Sequence, residues 1–374
     1  MDAVVAIPAI DPDKRLVSLV DALNERGFTR FIIVDDGSGA SAQPVFQALE
    51  ARGVLVVHHA QNLGKGSALK TAIAQMRLAY PDASHLITAD ADGQHLPDDI
   101  VRVAQAAIAH PDSLVLGSRR LNSREVPLRS RLGNGFSALY FKLDTGLTCP
   151  DTQTGLRAIP RYLLQLAMRT KGSRYEYEMN FLTAVAKRGV PLEQVPIRVV
   201  YENGNSGSHF SAIRDSLRIY QQFIRFTGSS LACSAVDLLA FALIVAMLGL
   251  ETAPLVAVAT VLARMLSGAL NFELNRTWSF AESGSRRGDA TSQAIRYSAL
   301  FVAQMLASMS LVTVLSFLPL PLVLVKALVD GSLFFVSHFV QKNWVFRRDV
   351  TVSPMLVKGG AHAARIPAAS TRAA

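Results

Sequence analysis

Four long apolar segments in the second half of the chain constrain the fold more than any other feature of the sequence. They cover residues 229–250, 254–271, 298–318 and 321–340. Each has close to the roughly 20 residues that an α-helix needs to cross a bilayer. Charged residues are only 18% of the whole chain, against about 25% in a typical soluble domain. The sequence therefore predicts an all-α membrane domain of four spans over 227–348 and excludes a disordered protein.

Basic residues lie at one end of these predicted spans. They are Arg276, Arg286, Arg287, Arg296, Lys342, Arg347 and Arg348. The turns at the opposite end, near Glu251 and Pro319, contain no Lys or Arg. The positive-inside rule then places the N-terminal domain (1–210), the long 272–297 loop and a disordered tail (349–374) in the cytoplasm. We predict a multi-pass protein of the inner (cytoplasmic) membrane.

The segment 211–226, between the two halves, has an amphipathic pattern. Ile213 and Leu217 share one face, and Arg214 and Arg218 lie beside it. This pattern is typical of a juxtamembrane helix at the level of the lipid headgroups. A helix packed on the N-terminal domain fits the same pattern equally well.

The second and fourth spans end in similar sequences, which indicates an internal repeat. Residues 276–280 read Arg-Thr-Trp-Ser-Phe, and residues 342–346 read Lys-Asn-Trp-Val-Phe. Two helical hairpins in parallel orientation would place Trp278 and Trp344 at one membrane interface.

Two opposite charges occupy equivalent positions in these hairpins. Arg264 and Asp330 each lie fourteen residues before the tryptophan, about 21 Å from the interface in a hydrocarbon core about 30 Å thick. Because an unpaired charge at this depth is unfavourable, we predict an Arg264–Asp330 ion pair, with Asp237 as the alternative partner. Lys326 can extend to the outer interface instead. The competing interpretation is that each charge faces headgroups or water separately.

The first 120 residues alternate between strand and helix patterns. Apolar runs predict strands over 3–8, 31–34, 54–58, 85–89 and 115–118, and amphipathic spacing predicts helices over 16–26, 41–52, 66–79 and 97–109. This order predicts an open, mostly parallel α/β sheet. Ligands of such sheets bind beyond the carboxyl ends of the strands.

Polar motifs follow three of these strands. They are Asp-Asp-Gly-Ser at 35–38, Asn-Leu-Gly-Lys-Gly-Ser at 62–67 and Asp-Ala-Asp-Gly-Gln-His at 90–95. Asp90 and Asp92 point to the same side of an extended chain, and with Gln94 as a third ligand they favour Mg²⁺ or Mn²⁺. A solvated acidic turn is the alternative for this pair, and an Asx turn is the alternative for the first motif.

A basic cluster follows the fifth predicted strand. Its members are Arg119, Arg120, Arg124, Arg129 and Arg131. Guanidinium groups match phosphate oxygens, although a solvated surface is the usual interpretation of such a run. Glu176 and Glu178 are the two candidate general bases, and a structural or donor-orienting role suits both of them better.

The motifs together resemble glycosyltransferase family 2, whose catalytic domain has the GT-A fold. The resemblance covers residues 3 to about 201 and is greatest to the polyprenyl-phosphate, dolichyl-phosphate mannose synthase-like branch. It rests on Pro8, 35–38, 62–66, 90–95, 117–119 and 151–157. Two departures are Ala9-Ile10-Asp11-Pro12, in place of an aromatic residue and Asn-Glu, and Ser208-His209, in place of Ser-Lys. The membrane half, with Asn271 and Asn275 before Trp278, is similar to GtrA-type domains.

The resemblance implies roles for individual residues. Donor contacts would come from Pro8, Asp35, Asp36, Lys65, Asp90 and Asp92. Asp90, Asp92 and Gln94 would hold the metal ion. Arg119, Ser130, Arg131 and His209 would contact the acceptor phosphate, and His209 is alternatively only an interfacial residue. The residues with catalytic roles would be Asp92, Arg119 and Arg131.

The predicted fold is thus an α/β GT-A (Rossmann-like) domain followed by an all-α four-span membrane domain. The predicted function is the metal-dependent, inverting transfer of a hexose from a nucleotide-diphosphate sugar, of GDP-mannose or UDP-glucose type, to polyprenyl phosphate. The alternative is a translocation component for lipid-linked sugars. Nucleic-acid binding is disfavoured because the basic residues, despite a net charge of +9, cluster beside the acidic motif and at membrane edges. Homo-oligomerisation is left open.

Overall fold

The computed structural model describes residues 2–119, 128–198, 217, 220–248, 253–281, 289–315, 317 and 319–346. It divides the chain into two compact units, Met1–Gln221 and Gln222–Ala374. The boundary predicted at residue 210 and the predicted tail lie outside the described residues.

A seven-stranded sheet forms the centre of the first unit. Its strands are β1 (Ala3–Ala9), β2 (Phe31–Asp35), β3 (Leu55–His58), β4 (His85–Thr88), β5 (Leu114–Arg119), β6 (Arg157–Pro160) and β7 (Leu192–Ile197). They lie in the order β3-β2-β1-β4-β6-β5-β7. Neighbouring strands are parallel, except that β6 is antiparallel to both β4 and β5. The five predicted strands are confirmed to within one residue at each end.

Helices cover both faces of the sheet. They are α1 (Lys14–Glu25), α2 (Gln43–Glu50), α3 (Lys65–Ala79), α4 (Pro97–Ala109), α5 (Leu128–Thr145), α6 (Leu164–Arg169) and α7 (Glu176–Ala186). One core joins α1, α2 and α4 to strand residues such as Ile7 and Ile33. The other joins α3, α6 and α7 to alternate residues such as Ala6 and Ile32. Burial on both faces explains why the central strands read as continuous apolar runs.

Strand β6 adds a chain segment to the edge of the sheet at which ligands are expected. Because β6 runs antiparallel, its first residue, Arg157, pairs with Thr88 at the carboxyl end of β4. The segment 151–156, which precedes β6, therefore lies at the same edge as the ends of β4 and β5. The apolar pattern did not predict β6, since this strand is four residues long and begins with an arginine.

The second unit contains four long helices. They are α8 (Gln221–Leu248), α9 (Ala253–Leu274), α10 (Ala290–Leu315) and α11 (Leu322–Val340). They overlap the four predicted spans. However, α8 also includes residues 221–226 of the predicted juxtamembrane helix, and α10 begins at Ala290, eight residues before the predicted third span and within the predicted 272–297 loop. Within the described residues, two stretches are long and apolar enough to cross a membrane, Gln221–Met247 and Ala290–Leu315.

The internal repeat is visible as two matching π-helical turns. Asn275–Ser279 follows α9, and Gln341–Val345 follows α11. The Asn275 side-chain amide donates to Gln341 Oε1 at 3.0 Å, and the Phe280 and Phe346 rings stack at 5.2 Å. The two hairpins therefore meet through equivalent residues.

The predicted Arg264–Asp330 ion pair is wrong. Arg264 Nε lies 3.5 Å from the carboxylate of Asp237, the alternative partner, and Ser267 Oγ donates to the same carboxylate at 3.0 Å. The physical reason is the packing of α8 beside α9. Ser229 on α8 donates to Asn275, directly after α9, so Asp237, eight residues further along α8, lies level with Ser267 and within reach of Arg264.

Candidate active site

The carboxyl ends of β2 and β3 meet at a buried carboxylate, Asp35. Its Oδ1 accepts the backbone N–H of Ser38 at 2.8 Å, and its Oδ2 lies 2.7 Å from Nδ1 of His58. Burial alone would raise the pKa of Asp35, but the hydrogen bonds from Ser38 and His58 outweigh burial and lower it. The same contact raises the pKa of His58, which is half-exposed at the end of β3. The predicted donor-binding residue Asp35 is therefore an ionised group with a histidine partner.

Asp36 organises the glycine-rich loop at 62–66. Its two carboxylate oxygens accept the backbone N–H groups of Leu63 at 2.9 Å and Gly64 at 2.7 Å. His59 Nδ1 lies 2.8 Å from Asp36 Oδ1, and His59 Nε2 lies 2.9 Å from the Thr71 hydroxyl. Asp36 thus has a structural task in addition to the donor contact that the sequence predicted.

The loop packs closely on the segment that leads into α7. Gly64 has φ of +98°, and a Cβ at this position would lie 2.5 Å from the Ser173 carbonyl oxygen. The backbone N–H of Ser67 donates to that same carbonyl at 2.9 Å. Only glycine satisfies both the positive φ and the close approach at position 64.

Lys65 lies between two carboxylates in the interior of the site. Its Nζ is 2.6 Å from Asp90 Oδ1 and 3.2 Å from Glu178 Oε1. Burial disfavours the charged ammonium, but Asp90 and Glu178 outweigh that effect and raise the pKa of Lys65. The lysine of the glycine-rich loop is therefore a fixed positive charge beside the acidic motif.

The acidic motif follows β4. Asp90 Oδ2 lies 3.2 Å from His95 Nε2, and a Cβ on Gly155 would lie only 2.4 Å from the same oxygen. Lys65 and His95 outweigh the burial of Asp90 and lower its pKa. For Asp92, burial and then the charge of Asp90 raise the pKa. Of the two carboxylates, only Asp90 is therefore stabilised as an anion by its surroundings.

Among the described residues, no three His, Cys, Asp or Glu side chains form a metal-binding group. The predicted set of two carboxylates and the Gln94 amide nevertheless fits a hard divalent cation. All of its donor atoms are oxygen, and a cation would offset the burial and the Asp90 charge that raise the pKa of Asp92. The backbone N–H of Gln94 donates to Asp92 Oδ1 at 3.1 Å, which fixes the turn of the motif.

Arg119, which was predicted to contact the acceptor phosphate, is held by a carboxylate that sequence reasoning did not connect with it. The fully buried Asp151 carboxylate accepts three hydrogen bonds from Arg119: from Nε at 2.6 Å, from a terminal guanidinium nitrogen at 2.8 Å and from the backbone N–H at 3.1 Å. Such a bidentate pair fixes the direction of the guanidinium. The link was not predicted because the two residues are 32 positions apart and meet only through antiparallel β6.

The remaining predicted residues are less closely grouped. Pro8 is half-buried in β1, opposite Val34. Arg131 is exposed on α5, and Ser130 lies in the same helix. His209, Arg120 and Arg124 lie outside the described residues.

The two candidate bases have different contacts. Glu176 Oε1 accepts the backbone N–H groups of Ser173 and Arg174 at 2.9 and 3.2 Å, as a residue at a helix start does. Glu178 lies against Lys65. Sequence reasoning missed the contacts of Glu178, His58 and His59. The available signal was the pair of adjacent histidines at the carboxyl end of the third strand.

Two family models match the chain. Residues 4–165 match glycosyl transferase family 2, and residues 225–346 match the GtrA/DPMS transmembrane domain. The chain is 34% identical over 215 residues to the UDP-N-acetylglucosamine–dolichyl-phosphate N-acetylglucosaminyltransferase of Methanococcus voltae, covering 52% of this chain and 84% of the relative. It belongs to glycosyl transferase family 2.

This glycosyltransferase has two further named relatives, each 30% identical. The undecaprenyl-phosphate mannosyltransferase of Micrococcus luteus matches over 179 residues, 45% of this chain and 71% of the relative. The polyprenol monophosphomannose synthase of Mycolicibacterium smegmatis matches over 199 residues, 50% and 72% of the two chains. Among solved structures, glucosyl-3-phosphoglycerate synthase from Mycobacterium tuberculosis aligns with 60% of this chain and 77% of its own, at 18% identity and a TM-score of 0.45.

The predicted family and fold class are thereby confirmed. The protein is a membrane glycosyltransferase with a GT-A-like mixed α/β domain and a C-terminal GtrA/DPMS transmembrane domain.

Proposed function

We propose that this glycosyltransferase transfers a hexose from a nucleoside diphosphate sugar to the phosphate of a polyprenyl phosphate. The observation that carries the proposal is that both candidate bases are enclosed by the protein: Glu176 Oε1 accepts backbone N–H groups and its Oε2 is buried, and Glu178 Oε1 is buried beside the Lys65 ammonium. A hydroxyl acceptor needs a base to remove its proton. A phosphate monoester, with a second pKa near ~6, is already ionised at neutral pH. The relatives named as dolichyl-phosphate, undecaprenyl-phosphate and polyprenol transferases support the same acceptor.

The donor nucleoside would bind at the carboxyl ends of β1 and β2. Pro8 and Asp35 would contact the nucleoside directly, and His58 would hold the Asp35 carboxylate in place. Asp36 would act by holding the 62–66 loop, in addition to any contact with the donor. Lys65 would contribute positive charge near the diphosphate.

Asp90, Asp92 and Gln94 would hold a Mg²⁺ or Mn²⁺ ion. When bound, such an ion stabilises the negative charge of a leaving nucleoside diphosphate. Solved neighbours of this fold are described in complex with Mn²⁺ or Mg²⁺ and UDP. Lys65, at 2.6 Å from Asp90, keeps one carboxylate of the pair ionised and correctly oriented.

The acceptor phosphate would approach from the side of Arg119. One of its oxygens attacks the anomeric carbon while the bond from that carbon to the donor diphosphate oxygen breaks, which inverts the anomeric configuration. Arg119, oriented by Asp151, would position the phosphate together with Ser130, Arg131 and His209. The step requires no proton transfer, so positioning and charge stabilisation account for the catalysis.

We place the reaction at the cytoplasmic face of the inner membrane, with the tail on the same side. The support is the basic residues at the ends of α9 and α11, where Trp278 and Trp344 are each 46% exposed. Exposed tryptophans beside Lys and Arg are typical of a cytoplasmic interface.

The test uses membranes that contain the full-length protein, incubated with labelled GDP- and UDP-sugars, Mg²⁺ or Mn²⁺, and polyprenyl phosphate. We expect label in the lipid phase, in a sugar phosphate linkage that mild acid releases, only when the protein and the lipid phosphate are both present. Transfer of label to a lipid or protein hydroxyl would overturn the proposal. Movement of preformed lipid-linked sugar across vesicles without label transfer would instead favour the translocation alternative.

A further inference from the structure

Helix α5 of the first unit carries an apolar stripe on its outer surface. Leu132, Leu139 and Leu143 are 66%, 49% and 39% exposed. Their spacings of seven and four residues place all three on one face of the helix, over about 17 Å of its length. A contiguous apolar patch of this kind on a folded domain marks a surface that binds something.

The opposite face of α5 is fixed to the rest of the first unit. The Ser137 and Thr152 hydroxyls lie 2.6 Å apart, and Lys187 Nζ lies 2.7 Å from the Asp144 carboxylate. Phe141 is fully buried in the core that also contains residues of α7. These contacts prevent a rotation of the helix that would bury the three leucines. The stripe is therefore covered by something outside the first unit.

The charges beside the stripe favour an anionic partner. Arg131 and Lys142 are exposed, and eleven residues, or three helical turns, place them on the same flank of α5. Asp144 is buried against Lys187. Over 131–145, where the structure describes the side chains of α5, the exposed charges are thus all positive. Such a face matches anionic lipid headgroups, whereas a second copy of the chain would bring further positive charges to it.

The stripe also adjoins the start of the first membrane-spanning helix. Phe136, on the same face of α5, contacts the Tyr220 ring at 5.0 Å, and Tyr140 contacts that ring at 5.5 Å. Tyr220 directly precedes α8, whose residues Gln221–Met247 are long and apolar enough to cross a membrane. Tyrosine is a typical residue of the membrane interface. The apolar face of α5 is therefore continuous with the point at which the chain enters the bilayer.

We propose that the exposed face of α5 lies in the headgroup region of the bilayer, where its leucines contact acyl chains and Lys142 contacts lipid phosphate. An amphipathic helix in this position places its apolar face about 5–10 Å into the boundary between headgroups and acyl chains. The proposal depends on the matched membrane domain and not on the acceptor assignment. One consequence does rest on the proposed function: Arg131 then lies at the level of the acceptor's phosphate.

The experiment uses the full-length protein with a nitroxide spin label at position 139, introduced through Leu139→Cys. The protein is placed in nanodiscs of equimolar phosphatidylcholine and phosphatidylglycerol. Cys149 and Cys233 are buried, and wild-type protein treated in the same way gives the background label. Oxygen concentrates among the acyl chains, whereas a nickel chelate stays in water. Relative to a label in water, we expect the label at 139 to gain collisions with oxygen and to lose collisions with the chelate.

The matched control is Leu78→Cys. Leu78 is a 76% exposed leucine of α3, and its label should collide mainly with the chelate. The same behaviour at position 139 would overturn the proposal. Few collisions with either reagent would show that protein covers the stripe, and spin–spin broadening would identify that protein as a second copy; both outcomes would also overturn it. If Leu139→Cys does not fold, Leu143→Cys replaces it under the same criteria.

Discussion

The two units of this glycosyltransferase bury polar groups of different kinds. The catalytic unit (Met1–Gln221) encloses ions. Examples are the Lys65 ammonium between Asp90 and Glu178, and Asp151 against Arg119. The membrane unit buries neutral groups, such as Asn275 bonded to Gln341 and to the Ser229 hydroxyl. One of its ion pairs joins the half-buried Asp237 to the exposed Arg264, and Asp330 is also exposed.

This difference follows from what each unit must bind and from what surrounds it. A site for a diphosphate and a cation needs fixed charges, and opposite charges close by make their burial tolerable. The membrane unit joins its helices through amide and hydroxyl groups, which are buried at a much lower desolvation cost. The four predictions that follow test this comparison.

The largest effect is expected for Asp92→Asn. Removing one charge of the cation site should reduce hexose transfer at least a hundredfold, since metal-assisted charge stabilisation is worth several kcal/mol. The measurement is turnover with saturating Mg²⁺ or Mn²⁺, together with thermal unfolding to confirm an intact fold. Asp98→Asn, at a surface ion pair with Arg26, is the matched control and should keep full activity. Near wild-type turnover of Asp92→Asn would show that the metal assignment is wrong.

Asp151→Ala should destabilise the catalytic unit. It leaves the Arg119 guanidinium, whose side chain is 22% exposed, without its fully buried partner. Breaking a buried pair in this way costs about 3–5 kcal/mol. Denaturant unfolding in detergent measures the loss. The isosteric Asp151→Asn should lose less stability because it keeps one acceptor. Equal stability of Asp151→Ala and the wild-type protein would mean that the pair does not support the fold.

In the membrane unit, Asn275→Leu should have a smaller effect. It removes the donor to Gln341 Oε1 and one acceptor of the Ser229 hydroxyl, and hydrogen bonds between transmembrane helices average about 0.6 kcal/mol. The double variant with Gln341→Leu should recover part of the loss, because both buried partners are then apolar. Steric trapping or thermal unfolding in detergent gives the comparison. A loss as large as that of Asp151→Ala would contradict the distinction between the two units.

The smallest effect concerns the pH dependence of the His58–Asp35 contact. Because Asp35 raises the pKa of His58, the contact stabilises the folded state fully below the ordinary histidine pKa of about 6.5. The stabilisation is lost as the pH rises through the raised pKa of His58. His58→Asn should therefore flatten the decline of unfolding stability above pH ~6.5. An unchanged decline in this variant, followed by denaturant unfolding at increasing pH, would contradict the stabilising role of the contact.

Much of the fold could be predicted because its signals are local. The five apolar strands, the helices between them and the four long helices of the second unit each depend on residues that are neighbours in the chain. The site motifs follow directly from strand ends, where parallel strands bring Asp35, the 62–66 loop and Asp90 to one edge. Strands β6 and β7 were not predicted, because β6 is short and β7 is an edge strand with alternating polar residues and a proline.

The sequence by itself determined the family, the two-part organisation and the residues of the acidic motif. Tertiary structure alone decided the partners of the charged residues. Glu178 reaches Lys65 because α7 packs on the glycine-rich loop, and Arg119 meets Asp151 because β6 runs antiparallel. Arg264 pairs with Asp237 rather than Asp330 because α8 packs beside α9, with Ser229 level with Asn275. Charge pairs form across distances that a one-dimensional pattern does not contain, since they depend on strand direction and helix packing.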